Sequence, residues 1–143
     1  MQLYSFTIAL RFWHPTIAPE AITSTLGVTP SRHWQAGEAR STPKGTPLDG
    51  LRPESYWHAY PLWQGWRESS ETEAEDALMQ LLPRLLPHAS FIRSIISTGG
   101  RGLVHLSSYS ADNYAIVLPP EILIQCSDLG LSLAHDVYPT EQA

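Results

Sequence analysis

Hydrophobic and polar positions alternate most clearly near the start of the chain. The apolar residues recur at every second position, at Tyr4, Phe6, Ile8, Leu10 and Phe12. A period of two predicts a β-strand with one buried face, because successive side chains of a strand point to opposite sides of the sheet. We expect this strand to end at His14-Pro15.

Two short helices with similar boundaries are predicted, one after this strand and one near the end of the chain. The first begins at Pro19 and ends at Gly27, and the second begins at Pro120 and ends at Gly130. Proline suits the first turn of a helix, and glycine suits its C-terminal cap. A glutamate follows each proline and favours the positive end of the helix dipole. This echo indicates two βα units packed on one sheet.

The middle of the chain predicts a longer helix and a second helical segment. Ser70 and Glu73 have the spacing of a capping box. Pro83 cannot donate an amide hydrogen, so we expect the helix to kink or break there. A further helical segment begins at Pro87. The apolar side of the longer helix consists of Ala74, Ala77, Leu78, Leu81, Leu82 and Leu85.

Further strands are predicted over residues 56–60, 103–109, 114–118 and 131–137. The second and third of these form a hairpin, because a turn-rich segment joins them. Strands interleaved with helices predict a single α+β domain over residues 1–143. We expect a mostly antiparallel sheet with helices on one face, in a ferredoxin-like or related two-layer sandwich.

The stretch around Trp34 is rich in turn residues, with a helical turn expected from Thr29-Pro30. Turns on both sides indicate that Trp34 has a fixed position, and we expect Trp34 and Trp57 to lie in the core. Residues 38–53 contain three prolines and two glycines and no apolar period. This segment predicts a loop, which is either flexible or an ordinary surface connection.

Composition limits the classes of function. The net charge is -5 and Lys44 is the single lysine, which argues against a basic nucleic-acid footprint and leaves room for a basic partner. Cys126 is the single cysteine, so no intramolecular disulfide can form. No apolar run approaches the roughly 18 residues of a membrane span. We expect a cytoplasmic protein without membrane contact.

Several short motifs follow one another along nearly the whole chain, namely Leu26-Gly27, Pro30, Trp34, Gly37-Glu38, Trp57, a leucine-rich helix over 78–86, and the segments 129–133 and 136–138. Together they resemble the family called domain of unknown function 4279. The chain departs from that family in its long loop after Glu38 and in its prolines at 83 and 87. The resemblance implies a small bacterial cytosolic protein without an established activity. It also implies a suspected role, for some members, as immunity proteins beside toxins.

The six histidines invite a metal hypothesis, but none of them has a spacing typical of metal ligands. Strand alternation places His135, and in one interpretation His105, on buried faces, where the two rings could converge with a carboxylate. Hydrogen-bonded core histidines are the alternative. Cys126 fits a buried thiol better than a nucleophile. We expect no metal, no cofactor and no catalytic residue of known type.

The strongest charge feature is the acidic start of the long helix. Glu71, Glu73 and Glu75, with Trp63 and Trp66 before them, are the candidate partner-binding residues. A solvated helix start is the alternative. The leading hypothesis is a non-catalytic binding protein, more specifically an immunity protein that neutralises a basic toxin. Two alternatives stay open: a small enzyme or metal-dependent hydrolase that uses histidines, and a ligand-sensing regulatory domain with a pocket between sheet and helices.

Overall fold

A computed structural model describes residues 3–139. Within them, the strands are β1 Ser5–His14, β2 Arg32–Trp34, β3 Ala39–Ser41, β4 Pro47–Leu51, β5 Ser55–Ala59, β6 Arg67–Glu68, β7 Arg101–Tyr109 and β8 Ser132–Val137. The α-helices are α1 Pro19–Leu26, α2 Ala74–Leu85, α3 Ala89–Ser97 and α4 Pro120–Leu129. A short 3-10 helix, Leu86–His88, joins α2 to α3.

The main sheet has the order β2-β5-β1-β7-β8, and the short β6 pairs with the start of β1. Every pairing in it is antiparallel except β7 with β8. Strand β2 therefore runs parallel to β1 with β5 between them, which is the split βαβ arrangement of ferredoxin-like folds. Helix α4 then adds β8 beside β7. The predicted α+β class with a mostly antiparallel sheet is confirmed.

The core lies on one side of the sheet. The even-numbered side chains of β1 from Phe6 to Phe12 are at most 2% exposed, and Trp57 of β5 is fully buried beside them. Buried residues of all four α-helices belong to the same cluster. The period of two in β1 therefore predicted its buried face correctly, and the helices cover that face only.

Both short helices end as the sequence predicted. Gly27 after α1 and Gly130 after α4 have φ values of 68° and 74°. This left-handed conformation costs little for glycine, which has no Cβ. Pro19 and Pro120 occupy the first helical positions. The two βα units thus share the same helix boundaries. They differ in strand pairing: β8 lies directly beside β7, whereas β5 separates β2 from β1.

The start of α2 differs from the predicted capping box. Glu73, and not Ser70, is the N-cap residue of α2, and its side chain makes no capping hydrogen bond. The hydroxyl of Tyr4 instead accepts a hydrogen bond from the amide of Ala74 at 2.9 Å and donates one to Glu75 Oε1 at 3.2 Å. The tyrosine directly before β1 therefore supplies the hydrogen bonds at the start of α2, which no local spacing could reveal.

Pro83 does not break α2 where the sequence predicted. The helix continues to Leu85, and the backbone then tightens into the 3-10 helix. Pro83 is exposed in the last turn of α2. Pro83 has no amide hydrogen to donate to the carbonyl of Met79, so one hydrogen bond of α2 is lost. The loss falls near the helix end, where the last four carbonyl groups have no intrahelical partner in any helix.

The predicted strand over 114–118 is wrong. This segment has no strand pairing, although Tyr114, Ile116 and Leu118 pack against the core at every second position. Both edges of β7 are already occupied, by β1 and by β8. The alternation therefore reports an extended segment that covers the core and does not form a hairpin with β7.

The sequence predicted an irregular loop over residues 38–53. In the structure, β3 and β4 form an antiparallel hairpin there. The turn expected before Trp34 is likewise replaced by strand β2, in which Trp34 faces Tyr56 of β5. Neighbouring strand residues alternate between faces, so Trp34 lies opposite the core while Trp57 lies in it. Trp34 is half-buried, and the expectation that it lies in the core is wrong.

The two tryptophans should respond differently to truncation. Trp57→Ala removes a fully buried ring and should lower the free energy of unfolding by about 3–5 kcal/mol. Trp34→Ala should cause a smaller loss, because solvent already reaches that ring. Urea unfolding of both variants checks this. A larger loss for Trp34→Ala would contradict the assignment of the two faces.

Candidate functional site

Among residues 3–139, no helix covers the face of the sheet opposite the core, which we call the open face. Strand β1 contributes its odd-numbered side chains to it, and the register of β5 and β7 places their matching residues beside these. The central positions of the open face are Thr7, Ala9, Arg11, Trp13, Tyr56, His58, Leu103, His105 and Ser107.

A pocket of about 310 Å³ lies on the open face, and we call it the open-face pocket. Strands β1 and β7 form its floor. The connection after β5 and the residue after β8 supply aromatic side chains at its edge. Its lining residues are Thr7, Ala9, Arg11, His58, Tyr60, Gly65, Trp66, His105, Ser107 and Tyr138. The lining contains no carboxylate and no thiol, so its polar character comes from a guanidinium, two imidazoles and hydroxyl groups.

Arg11 is the charged group of this pocket. Its Nε donates to the hydroxyl of Tyr56 at 2.8 Å, and a terminal nitrogen lies 3.4 Å from His105 Nδ1. Its guanidinium carbon lies 4.8 Å from the centre of the Trp13 ring. These contacts fix the position of the guanidinium without neutralising it, since Arg11 has no ion pair with a carboxylate in the described part of the chain.

The contact with Arg11 determines the tautomer of His105. An arginine can only donate, so His105 Nδ1 has to accept and the ring proton lies on Nε2. That nitrogen is 3.2 Å from Asp136 Oδ2 and donates to it. The carboxylate of Asp136 therefore reaches Arg11 only through the imidazole, and both ring nitrogens of His105 are engaged.

His58 lies beside Arg11 on β5, and its Nδ1 is hydrogen-bonded to the hydroxyl of Ser31. Burial lowers the pKa of His58, and the positive charge of Arg11 lowers it further. Burial disfavours the charged form of an imidazole. The ring is therefore neutral near pH 7, and Arg11 supplies the positive charge of the pocket.

Aromatic rings form the edge of the pocket. Trp66 is 44% exposed, and its ring meets those of Tyr109 and Tyr138 edge to face at 5.0 Å and 5.7 Å. Tyr60 contacts His58 in the same manner at 5.0 Å. Beneath them, the buried Thr7 Oγ1 has no hydrogen-bond partner among the described residues. The pocket thus combines aromatic walls with the guanidinium of Arg11.

The structure separates the two candidate tryptophans. Trp63 packs its edge on Phe6 at 5.9 Å, and Arg67 lies over its ring, so it belongs to the helix side of the sheet. Trp66 lies on the open face. Trp66 is part of the open-face pocket, whereas Trp63 fills space beside the core.

The three candidate glutamates also differ. Glu71 and Glu73 are exposed, but Glu75 is partly buried. Glu75 accepts hydrogen bonds from the Tyr4 hydroxyl and from the Val117 amide, at 3.2 Å and 3.1 Å. Burial raises the pKa of Tyr4 to about 12, and the negative charges of Glu75 and Glu73 add to this effect. Glu75 therefore joins three segments of the fold, while Glu71 and Glu73 are available to a partner.

The two histidines proposed to converge lie on opposite faces. His105 is on the open face, whereas His135 is on the helix side, where it is 2.6 Å from the hydroxyl of Ser108. Burial lowers the pKa of His135, and Asp136 opposes this effect.

Residues 3–139 hold no group of three or more His, Cys, Asp or Glu placed for a metal ion. Cys126 is buried, which raises the pKa of its thiol.

One signal for the pocket was present in the sequence. Arg11 occupies a polar position of the most regular strand, between Leu10 and Phe12. The alternation indicates which face Arg11 is on, but His58, Trp66 and His105 come from distant parts of the chain. The open-face pocket lies on the other side of the sheet from the pocket of the ligand-sensing alternative.

The chain belongs to the family described as domain of unknown function (DUF4279), which matches residues 3–140. This confirms the resemblance seen in the sequence motifs. No curated protein and no solved structure matched the chain. In the described part of the chain, no helix is both long enough and apolar enough to cross a membrane.

The lowered pKa of His58 predicts how stability depends on pH. The unfolded chain binds a proton near the ordinary pKa of 6.5, before the folded protein does. Stability should therefore be complete above about pH 6.5 and fall as the pH is lowered towards the folded pKa.

His58→Gln should make this loss smaller, and His135 should account for part of what remains. Urea unfolding between pH 7.5 and pH 5 measures the effect, with the exposed His33→Gln as the control. An unchanged pH dependence in His58→Gln would contradict the environment described for His58.

Proposed function

We propose that this family member is a non-catalytic binding protein whose open-face pocket holds a small anionic ligand. The observation that carries the proposal is Arg11, a half-buried guanidinium in a pocket whose lining has no carboxylate. A guanidinium that is fixed by its neighbours but not neutralised attracts an anion, and its planar fork matches a carboxylate.

The walls of the pocket suggest the shape of that ligand. A volume of about 310 Å³ is at the lower end of the range of small-molecule sites. Tyr60, Trp66 and Tyr138 offer aromatic surface. A compact ligand with one carboxylate and a planar ring fits these features.

The hydrogen bonds favour binding over hydrolysis. A general base needs a ring nitrogen that is free to accept a proton from the substrate or from water. His105 has no such nitrogen, because Arg11 and Asp136 engage both. His105 is thus better suited to hold Arg11 in position than to activate a nucleophile.

Titration of ¹⁵N-labelled protein with benzoate tests this function, with benzamide as the neutral analogue of similar shape. Benzoate should shift the amide signals of β1 and β7 and the indole signal of Trp66 more strongly than benzamide does. Arg11→Gln should weaken benzoate binding about tenfold, because a charge-assisted bidentate contact is lost.

The control for this experiment is Arg84→Gln, since Arg84 is an exposed arginine at the end of α2. It should bind benzoate like the parent. Equal responses to benzoate and benzamide, or an unchanged affinity of a folded Arg11→Gln variant, would show that Arg11 does not make an anion site.

We propose neutralisation of a bacterial toxin as a second candidate function, with a basic protein as the partner. The start of α2 supports it, because Glu71 and Glu73 project into solvent. Apolar surface lies near them: Met79 is 38% and Val117 68% exposed. Exposed apolar groups with acidic neighbours suit a basic partner that buries both.

The second function predicts that Glu71→Lys with Glu73→Lys slows association with the partner, because charge attraction speeds encounter. Glu75 stays unchanged, since it holds Tyr4 and Val117. Trp66→Ala should mainly speed dissociation if the partner also reaches the open face. A toxin encoded by an adjacent gene is the partner to test, by surface plasmon resonance at low salt.

Glu20→Lys is the matched control, because Glu20 is an exposed carboxylate in the first turn of α1. It should leave the association rate close to that of the parent. If the double reversal associates as fast as the parent at low salt, the acidic start of α2 is only a solvated helix end.

A further inference from the structure

Three arginines converge around Trp34, away from the open-face pocket. Arg32 comes from β2, Arg40 from β3, and Arg52 directly follows β4. Arg32 and Arg52 donate to the same backbone oxygen, that of Ser41, at 3.3 Å and 2.6 Å. We call these three residues the arginine cluster.

The positive charges of the cluster are not neutralised. Arg32 and Arg52 donate to the Ser41 carbonyl, and Arg40 donates to that of Asp49 at 3.0 Å. None of the three forms an ion pair with a carboxylate within residues 3–139. The Nε of Arg52 is buried and has no hydrogen-bond partner in that same range. A buried donor without a partner is costly to the fold.

The charges of the cluster also act on one another. Burial lowers the pKa of Arg52, and the charges of Arg32 and Arg40 lower it further, while Glu38 opposes them. Mutual repulsion among like charges is relieved when an anion binds between them. The fold thus maintains an arrangement that an anion would stabilise.

Trp34 holds the guanidinium groups in place. Those of Arg52 and Arg32 lie 3.7 Å and 5.0 Å from the centre of its ring, and its indole Nε1 donates to the Glu54 carbonyl at 3.0 Å. Cation–π contacts of this kind orient a guanidinium without neutralising it. The donors of the cluster are therefore positioned before any ligand arrives.

Two hollows border Trp34, and Arg52 lines both. One, of about 340 Å³, also includes Arg32 and Glu38. The other, of about 420 Å³, also includes Arg40 and Glu54. Glu54 is engaged by Arg101 at 3.3 Å, so its charge is already balanced. Both hollows have room for a small molecule beside the guanidinium groups.

We propose that the arginine cluster binds the phosphate group of a small phosphorylated molecule. Each hollow is lined by two guanidinium groups, that of Arg52 with that of Arg32 or Arg40. Two guanidinium groups match the several oxygens and the double charge of a phosphate better than the single charge of a carboxylate. This site is separate from the open-face pocket and does not depend on the function proposed for it.

Inorganic pyrophosphate is the probe for this site, titrated into the ¹⁵N-labelled full chain against sodium chloride at equal ionic strength. Pyrophosphate should shift the amide signals of residues 32–52, and chloride should not. Arg32→Gln and Arg40→Gln should each weaken pyrophosphate binding about tenfold, since each removes one charge-assisted donor. Arg40 makes no ring contact with Trp34, so Arg40→Gln keeps the test valid if another variant fails to fold.

Arg84→Gln is the control, and it should bind pyrophosphate like the parent. Loss of binding in Arg11→Gln would place the anion in the open-face pocket and overturn the second site. Equal shifts with chloride, or unchanged affinity in both cluster variants, would overturn it as well. A ten-nucleotide single strand that binds the same residues more tightly than pyrophosphate would assign the cluster to nucleic acid, against this proposal.

Discussion

The alternation of side chains along β1 is the constraint on which the rest of the structure depends. The strand is central in the sheet, so one set of its side chains has to fill the core and the other has to form the open face. A shift of register by one residue would move Arg11 into the core and Phe12 out of it. The requirement to bury Phe12 and its apolar neighbours therefore also fixes the position of Arg11.

Periodicity predicted elements only where burial acts on one face. It identified β1 and the packing side of α2, because both bury a stripe of apolar residues. It could not identify β4, whose five residues are all exposed, since backbone pairing with β3 leaves no hydrophobic pattern. Over 114–118 the pattern was real, but the neighbouring strand edges were already occupied.

The candidate site was less accessible to prediction, because strand pairing brings distant residues together. Turn residues around Trp34 led to a prediction that its ring lies in the core, but the pairing of β2 with β5 places it on the face opposite Trp57. Trp63 and Trp66 are close in sequence, yet the chain places them on opposite sides of the sheet. The roles of Tyr4 and Glu75 at the start of α2 arise from contacts across some 70 residues of sequence.

The separation of charge between the two layers has a consequence for the whole molecule. Arg11, Arg32, Arg40 and Arg52 outnumber Asp136 on the open face and around Trp34, while Glu71, Glu73 and Asp76 outnumber Arg84 and Arg93 on α2 and α3 and before them. This arrangement gives the protein an electric dipole moment across its thickness, and a charged surface exerts a torque on such a dipole before contact. Because salt screens fields beyond about 8 Å at 0.15 M ionic strength, this alignment acts only in the last step of approach.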